Sequence, residues 1–213
     1  MAVIEGGLSG ALQEVDPAFL AARVSERPLP AHSWKSVGLR SGLLADLPAN
    51  ATILSLRNLS ANLLLVRRMG LGVITTAPFD EALLLEFALY FARVFAVSDS
   101  GGLPVAITGI QASHRTSLVA PSSIDLRIAN STAISAGSRV LDDVALARVA
   151  TWSAAAGETI AVSLDNLIKP ASGMYPIVLA QNEGLVLQNI EVLGANGIVH
   201  VYLNLEFAEI PSF

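Results

Sequence analysis

The hydrophobic pattern is sharpest near the C-terminal end. There Val199, Val201, Leu203, Leu205 and Phe207 alternate with Ile198, His200, Tyr202, Asn204, Glu206 and Ala208. Successive strand side chains point to opposite faces, so this spacing sets an all-apolar row against a mostly polar one. Residues 185–192 form a second extended run, and 175–179 a shorter one closed by Gln181-Asn182-Glu183-Gly184. Leu193-Gly194-Ala195-Asn196-Gly197 separates the last two runs. Asn-Gly favours the positive φ angles of a tight reversal, so the stretch predicts a closing β-hairpin with one buried face.

Short extended runs recur upstream, at 53–59, 63–66, 70–76, 104–109, 124–129, 144–152 and 159–164. Turn-rich clusters separate them: Ser98-Asp99-Ser100-Gly101-Gly102, Asn130-Ser131, Ala136-Gly137-Ser138, Ala156-Gly157 and Ser172-Gly173. Many short strands with no βαβ rhythm predict an all-β sandwich, barrel or jelly roll. Residues 82–95 fit two periods. Leu84, Phe87, Phe91 and Phe95 share one side of a helix, whereas Leu85, Phe87, Leu89, Phe91, Arg93 and Phe95 share one face of a strand. Leu and Ala favour the helix and the aromatics the strand, and periodicity alone does not separate them.

Residues 1–48 lack this rhythm. Gly6, Gly7, Gly10, Pro17, Pro28, Pro30, Gly38, Gly42 and Pro48 punctuate them, which predicts an extended N-terminal arm with one short helical turn at 17–22. The expected division is therefore an arm at 1–48 and a β-sandwich domain at 49–213. Val15, Phe19, Leu20, Val24 and Trp34 in the arm are apolar groups that gain from a docking surface.

Composition sharpens this picture. Of 213 residues, 53% are hydrophobic and only 15% charged. Globular domains carry about 25% charged residues, so apolar surface is in excess. No run reaches the roughly 18 uncharged apolar residues of a membrane-spanning helix, since Arg67-Arg68 and Asp80-Glu81 interrupt the longest. The expectation is that this excess is buried between subunits of an oligomer. A net charge of −5 argues against a broad nucleic-acid surface, and Arg67-Arg68 reads as a solvated strand end. With no Cys, disulfides, thiolate catalysis and Cys-based metal sites are excluded. Met-Ala-Val-Ile-Glu-Gly-Gly has neither a basic nor an apolar leader region, so the expectation is synthesis and use without export through a signal peptide.

Candidate chemistry is sparse. Asp99-Ser100-Gly101-Gly102 matches the surroundings of a serine-protease nucleophile, but the one histidine upstream is His32, in the arm. An Asp/Ser/Gly turn between strands explains the same residues. His32, His114 and His200 stand alone, with His200 expected on the polar face of the last strand, so no metal site is expected. Asp142-Asp143 reads as a solvated or Arg-paired bend after Arg139. A paired-carboxylate glycosidase would need acids on the strands, where they are scarce. Phosphate-binding glycine loops are absent. The expectation is a protein without enzymatic activity or cofactor.

Several stretches, taken in order, resemble a family of virion structural proteins of tailed bacteriophages. In the arm these are Glu14-Val15-Asp16, Ala22-Arg23-Val24 and Arg27-Pro28-Leu29, followed by Leu39-Arg40-Ser41-Gly42-Leu43-Leu44-Ala45 and Ile53-Leu54-Ser55-Leu56-Arg57. Then come Ala92-Arg93-Val94-Phe95-Ala96-Val97 leading into Ser98–Gly102, Ile107-Thr108-Gly109, Arg115-Thr116-Ser117, Asp125-Leu126-Arg127-Ile128-Ala129 and Gly137-Ser138-Arg139-Val140-Leu141-Asp142. Tyr175-Pro176-Ile177-Val178-Leu179 and Leu205-Glu206-Phe207-Ala208-Glu209 close the series. Order and spacing carry the resemblance rather than any single piece. The chain departs from the family pattern in the apolar Leu83-Leu84-Leu85 and in Phe207, where Trp is common.

The resemblance implies an all-β, antiparallel jelly-roll-like sandwich, with residues 85–97 a strand rather than a helix. It also implies a homotrimeric capsid decoration (cement) protein, made in the host cytoplasm and carried on the virion's capsid surface. The expected partners are further copies of the chain and the major capsid protein, with no nucleic acid and no membrane. Val15, Phe19, Leu20, Arg23, Arg27 and Trp34 are the candidate capsid or subunit contacts. The rival readings are a receptor- or glycan-binding fibre module, disfavoured by dispersed aromatics at 6% of residues, and a jelly-roll protein that forms the shell itself.

Overall fold

The computed structural model describes residues 3–5, 12–16, 21–22, 34–107, 123–153, 161–168 and 176–210, with the backbone alone at 3–5, 12–16, 21–22 and 161–166. The chain forms two compact units, Met1–Ala31 and His32–Phe213. The first contains β1 (Val3–Glu5), β2 (Leu12–Asp16) and β3 (Ala21–Ala22), an antiparallel sheet in the order β1-β2-β3. Ala22 pairs with Val15, so the end of the expected helical turn at 17–22 is extended; residues 17–20 lie outside the described residues.

The second unit is an antiparallel β-sandwich, as expected from the recurrent short strands. One sheet combines β5 (Thr52–Asn58), β7 (Leu84–Val97), β8 (Leu103–Pro104), β9 (Ile124–Ile128), β10 (Ser138–Leu141), β11 (Ala147–Trp152) and β14 (Gly184–Asn189). Its order is β10-β7-β14-β5-β9-β8, and β11 also pairs with β7. The other sheet contains β4 (Trp34–Arg40), β6 (Leu63–Ala77), β12 (Ala161–Ile168), β13 (Ile177–Leu179) and β15 (Ile198–Ile210). Its order is β12-β6-β15-β4, with β13 also on β6. Leu54, Leu56, Leu85, Phe87, Leu89, Leu185 and Leu187 of one sheet join Val66, Leu71, Val73, Val201, Leu203, Leu205 and Phe207 of the other in one buried cluster. The apolar row read along 199–207 is this core face.

Four sequence expectations change. The sandwich begins well before residue 49. β4 pairs with β15 along seven residues, and Leu39, Leu44 and Leu47 are buried, so residues 34–48 belong to the sandwich and not to the arm. The closing hairpin is a crossover: β14 pairs with β5 and β7, whereas β15 pairs with β4 and β6 in the opposite sheet. Neither Asn196 nor Gly197 takes a positive φ. Gly197 is needed for space, because a Cβ there would lie 2.1 Å from the Phe79 ring.

The third change concerns Arg67-Arg68. The runs 63–66 and 70–76 are one strand, β6, and its register to β15 shifts between Glu206 and Phe207. That bulge turns two consecutive arginines to solvent in mid-strand. The fourth concerns β7, which is a strand throughout, although its alternation breaks at Val94, where φ is +48°. Phe87 and Leu89 therefore face the main core, but Phe95 joins Ala92, Val186 and Leu141 in a second buried cluster. The runs at 104–109 and 159–164 are represented by β8 and β12. Residues 108–109 and 159–160 lie outside the described residues, as do Ala156-Gly157 and Ser172-Gly173.

Candidate interaction surface

β7 is the longest strand of its sheet and carries two short strands along one side. β10 pairs with its C-terminal part, where Val140 faces Arg93, and β11 with its N-terminal part, where Trp152 faces Leu84. The loop 142–146 joins them, held by the Asp142 N–H on the Phe91 carbonyl (3.0 Å) and the Leu146 N–H on the Leu89 carbonyl (2.7 Å). Large apolar side chains are exposed along this border: Val94, Val97, Val140, Leu146, Val144 (80% exposed) and Trp152 (64%). They are strung along the length of the border, from Val97 at one end of β7 to Trp152 opposite Leu84 at the other.

Most charged groups here are engaged in ion pairs or hydrogen bonds. Arg93 donates to Glu183 (2.8 Å) and Asp142 (3.3 Å) with its guanidinium 4.5 Å from the Phe91 ring centre. These bonds, that to Glu183 first, raise its pKa further above the ordinary arginine value. Arg148 pairs with Glu86 across β11 and β7 at 2.9 Å. Arg57 donates to Ser98 Oγ (2.9 Å), the Ala96 carbonyl (3.0 Å) and Asn182 Oδ1 (2.7 Å). Arg139 and Asp99 form an ion pair whose side chains are 4% and 0% exposed. Arg139 also donates to Thr52 Oγ1 (2.9 Å), and Asp99 accepts from the Gly137 N–H (2.7 Å). Arg57 and Arg139 both lie over the Phe95 ring, at 5.6 and 5.5 Å. Three of these arginines, Arg93, Arg139 and Arg148, are paired with carboxylates and Arg57 is held by neutral acceptors. The exposed apolar side chains thus stand among charges that are mostly engaged, with Asp143 of the 142–146 loop an exposed acid among them. Such a surface suits contact with another protein better than capture of a charged small molecule.

The sequence candidates distribute as follows. Val15 lies in β2, facing Ala22 in the register. Phe19, Leu20, Arg23 and Arg27 lie outside the described residues. Trp34 is in the edge strand β4, opposite Ala208, with the Arg67 guanidinium 5.5 Å from its ring. It belongs to the sandwich, not to the arm. Ser98–Gly102 is a turn with positive φ at Gly101 and Gly102. Ser100 bonds Ser135 through both backbone groups at 2.9 Å, and Asp99 is committed to Arg139. His200 is buried rather than exposed, its Nδ1 3.2 Å from the Ser41 carbonyl. His32 and His114 lie outside the described residues. Asp142 is Arg-paired as read, but to Arg93; Arg139 turns to Asp99 instead.

Sequence reading did not single out the β10–β11 border. Arg148, Ala150 and Trp152 do alternate with Val149 and Thr151, but the same pattern fits any half-buried strand. No protein-family model, no curated protein and no solved structure matches this chain.

Proposed function

We propose that this chain is a virion structural protein of the capsid-decoration type, which acts through surface contact rather than catalysis. The supporting observation is the border along β7, where apolar side chains stay exposed while most neighbouring charges are engaged. The ordered resemblance to phage virion proteins supplies the class of partner. In this reading the sandwich is a rigid body, and the unit Met1–Ala31 with Val15, Phe19, Leu20, Arg23 and Arg27 reaches across neighbouring capsid subunits. Added contact area shifts the shell toward its assembled state by mass action, and a trimer would multiply weak single contacts into avidity. Among the described residues no observation favours an enzyme reading.

Co-sedimentation with emptied capsids of the phage that encodes the chain tests this. The full chain is expected to saturate the shells at a fixed copy number. The chain lacking residues 1–31 is expected to stay in the supernatant. A full chain that does not sediment with shells overturns the proposal, and normal binding by the truncated chain removes the arm from it.

A further inference from the structure

We propose that β11 is a self-association edge, to which a second copy of this chain adds its own β11, antiparallel, across a twofold axis at Ala150. This goes beyond the virion reading and does not depend on it. β11 pairs with β7 in unbroken register from Ala147↔Leu89 to Trp152↔Leu84. The Ser153 N–H donates to the Leu83 carbonyl at 2.8 Å, which extends that register by one residue. Backbone groups alternate in direction along an antiparallel ladder. Residues 147, 149 and 151 therefore bond to β7, and the N–H and C=O groups of Arg148, Ala150 and Trp152 point off the sheet.

Edges of this kind are usually guarded by lysine, proline or a bulge. β11, Ala147-Arg148-Val149-Ala150-Thr151-Trp152, has none of these. Its one charge, Arg148, is held by Glu86, so the edge presents no unbalanced charge to repel a copy of itself.

The side chains select the occupant. Antiparallel partners must share a face, and the outer face of β11 carries Arg148, Ala150 and Trp152. With Ala150 opposite its own copy, Arg148 falls opposite the partner's Trp152, and Trp152 opposite the partner's Arg148. Both ends of the pairing then carry a guanidinium against an indole, an attractive contact in either copy. Val149 meets the partner's Thr151 on the other face, a β-branched pair that suits a sheet. The two Arg148 side chains stay four residues apart, roughly 13 Å along the strand, beyond the screening length at physiological salt. Small Ala150 at the axis lets the backbones approach. The contact is isologous, so it joins copies in pairs, whether single chains or trimers.

The chain has no cysteine, so Ala150→Cys introduces its only thiol. Under mild oxidation Ala150→Cys is expected to form a covalent pair of twice 22.2 kDa within minutes. Val192→Cys, also exposed but on no strand, is expected to remain single-chain at the same concentration. In parallel, Ala150→Lys sets like charges face to face at the axis without touching a bond to β7. It is expected to halve the solution mass measured by light scattering. Crosslinking of Ala150→Cys no faster than that of Val192→Cys overturns the proposal. So does an equal mass for the wild-type chain and Ala150→Lys. Capsid binding is read separately, so failure here leaves the decoration reading standing.

Discussion

Lys35 is the least comfortable residue in the sandwich. It lies on β4 opposite Phe207, is 4% exposed, and its buried Nζ has no hydrogen-bond partner. Burial holds its pKa below the ordinary 10.5, and the Glu209 carboxylate pulls it partly back. The unfolded chain therefore keeps this proton to higher pH than the folded chain does. Below the folded pKa both states are charged, and the fold carries the full cost of a buried cation. Between the two values the folded chain alone has released the proton, so stability rises as pH climbs toward 10.5. Lys35→Met keeps the volume and removes the charge. It is expected to raise stability at pH 7 by about 1 kcal/mol and to abolish the alkaline rise, both read from urea midpoints. A less stable Lys35→Met would mean that the amine contributes favourably to the fold.

At the scale of elements, β7 shows how one residue redirects a strand. Val94 has φ +48°, where a β-branched side chain is strained, yet it is 70% exposed and contributes little packing. The reversal it makes is needed, because it seats Phe95 between Arg57 and Arg139 on the far side of the sheet. Asn tolerates the left-handed region, so Val94→Asn is expected to stabilise the chain by about 1 kcal/mol in thermal unfolding without altering the β7 register. A loss of stability would show that the Val94 side chain is covered in the native assembly. This reversal was not legible beforehand, since spacing alone places Phe95 on the same strand face as Leu85, Phe87, Leu89 and Phe91. The row from Val199 to Phe207 was legible because each of its residues reaches one core. The crossover from β14 to β15 was hidden for a related reason. Two alternating runs look the same whether they pair side by side or face each other across a core, and Asn196-Gly197 imitated a hairpin turn while in fact making room for Phe79. The β11 edge depends on which strand stands beside it, and no local pattern encodes that β7 is its one pairing strand among the described residues.

For the whole molecule, the boundary between arm and sandwich decides what each part can do alone. Glycine and proline through residue 48 suggested a long arm, but Gly38 and Gly42 serve the sandwich. Gly38 lies within β4, and Gly42 approaches Asn130 so closely that a Cβ would fall 2.6 Å from the Asn130 carbonyl oxygen. The core also draws on Leu39, Leu44 and Leu47. Removing residues 1–31 takes away a unit with its own sheet and leaves these contacts intact. Removing residues 1–48 strips β4 from β15 and deletes three buried leucines, each costing about 2–5 kcal/mol. Their sum is comparable to the roughly 5–15 kcal/mol that holds a typical domain together. The chain beginning at residue 32 is therefore expected to unfold cooperatively within a few degrees of the full-length midpoint, as followed by circular dichroism. The chain beginning at residue 49 is expected to be insoluble or to show no cooperative transition. If both truncations fold equally well, β4 is dispensable, and the free side of β15 would become a second open edge beside that of β11.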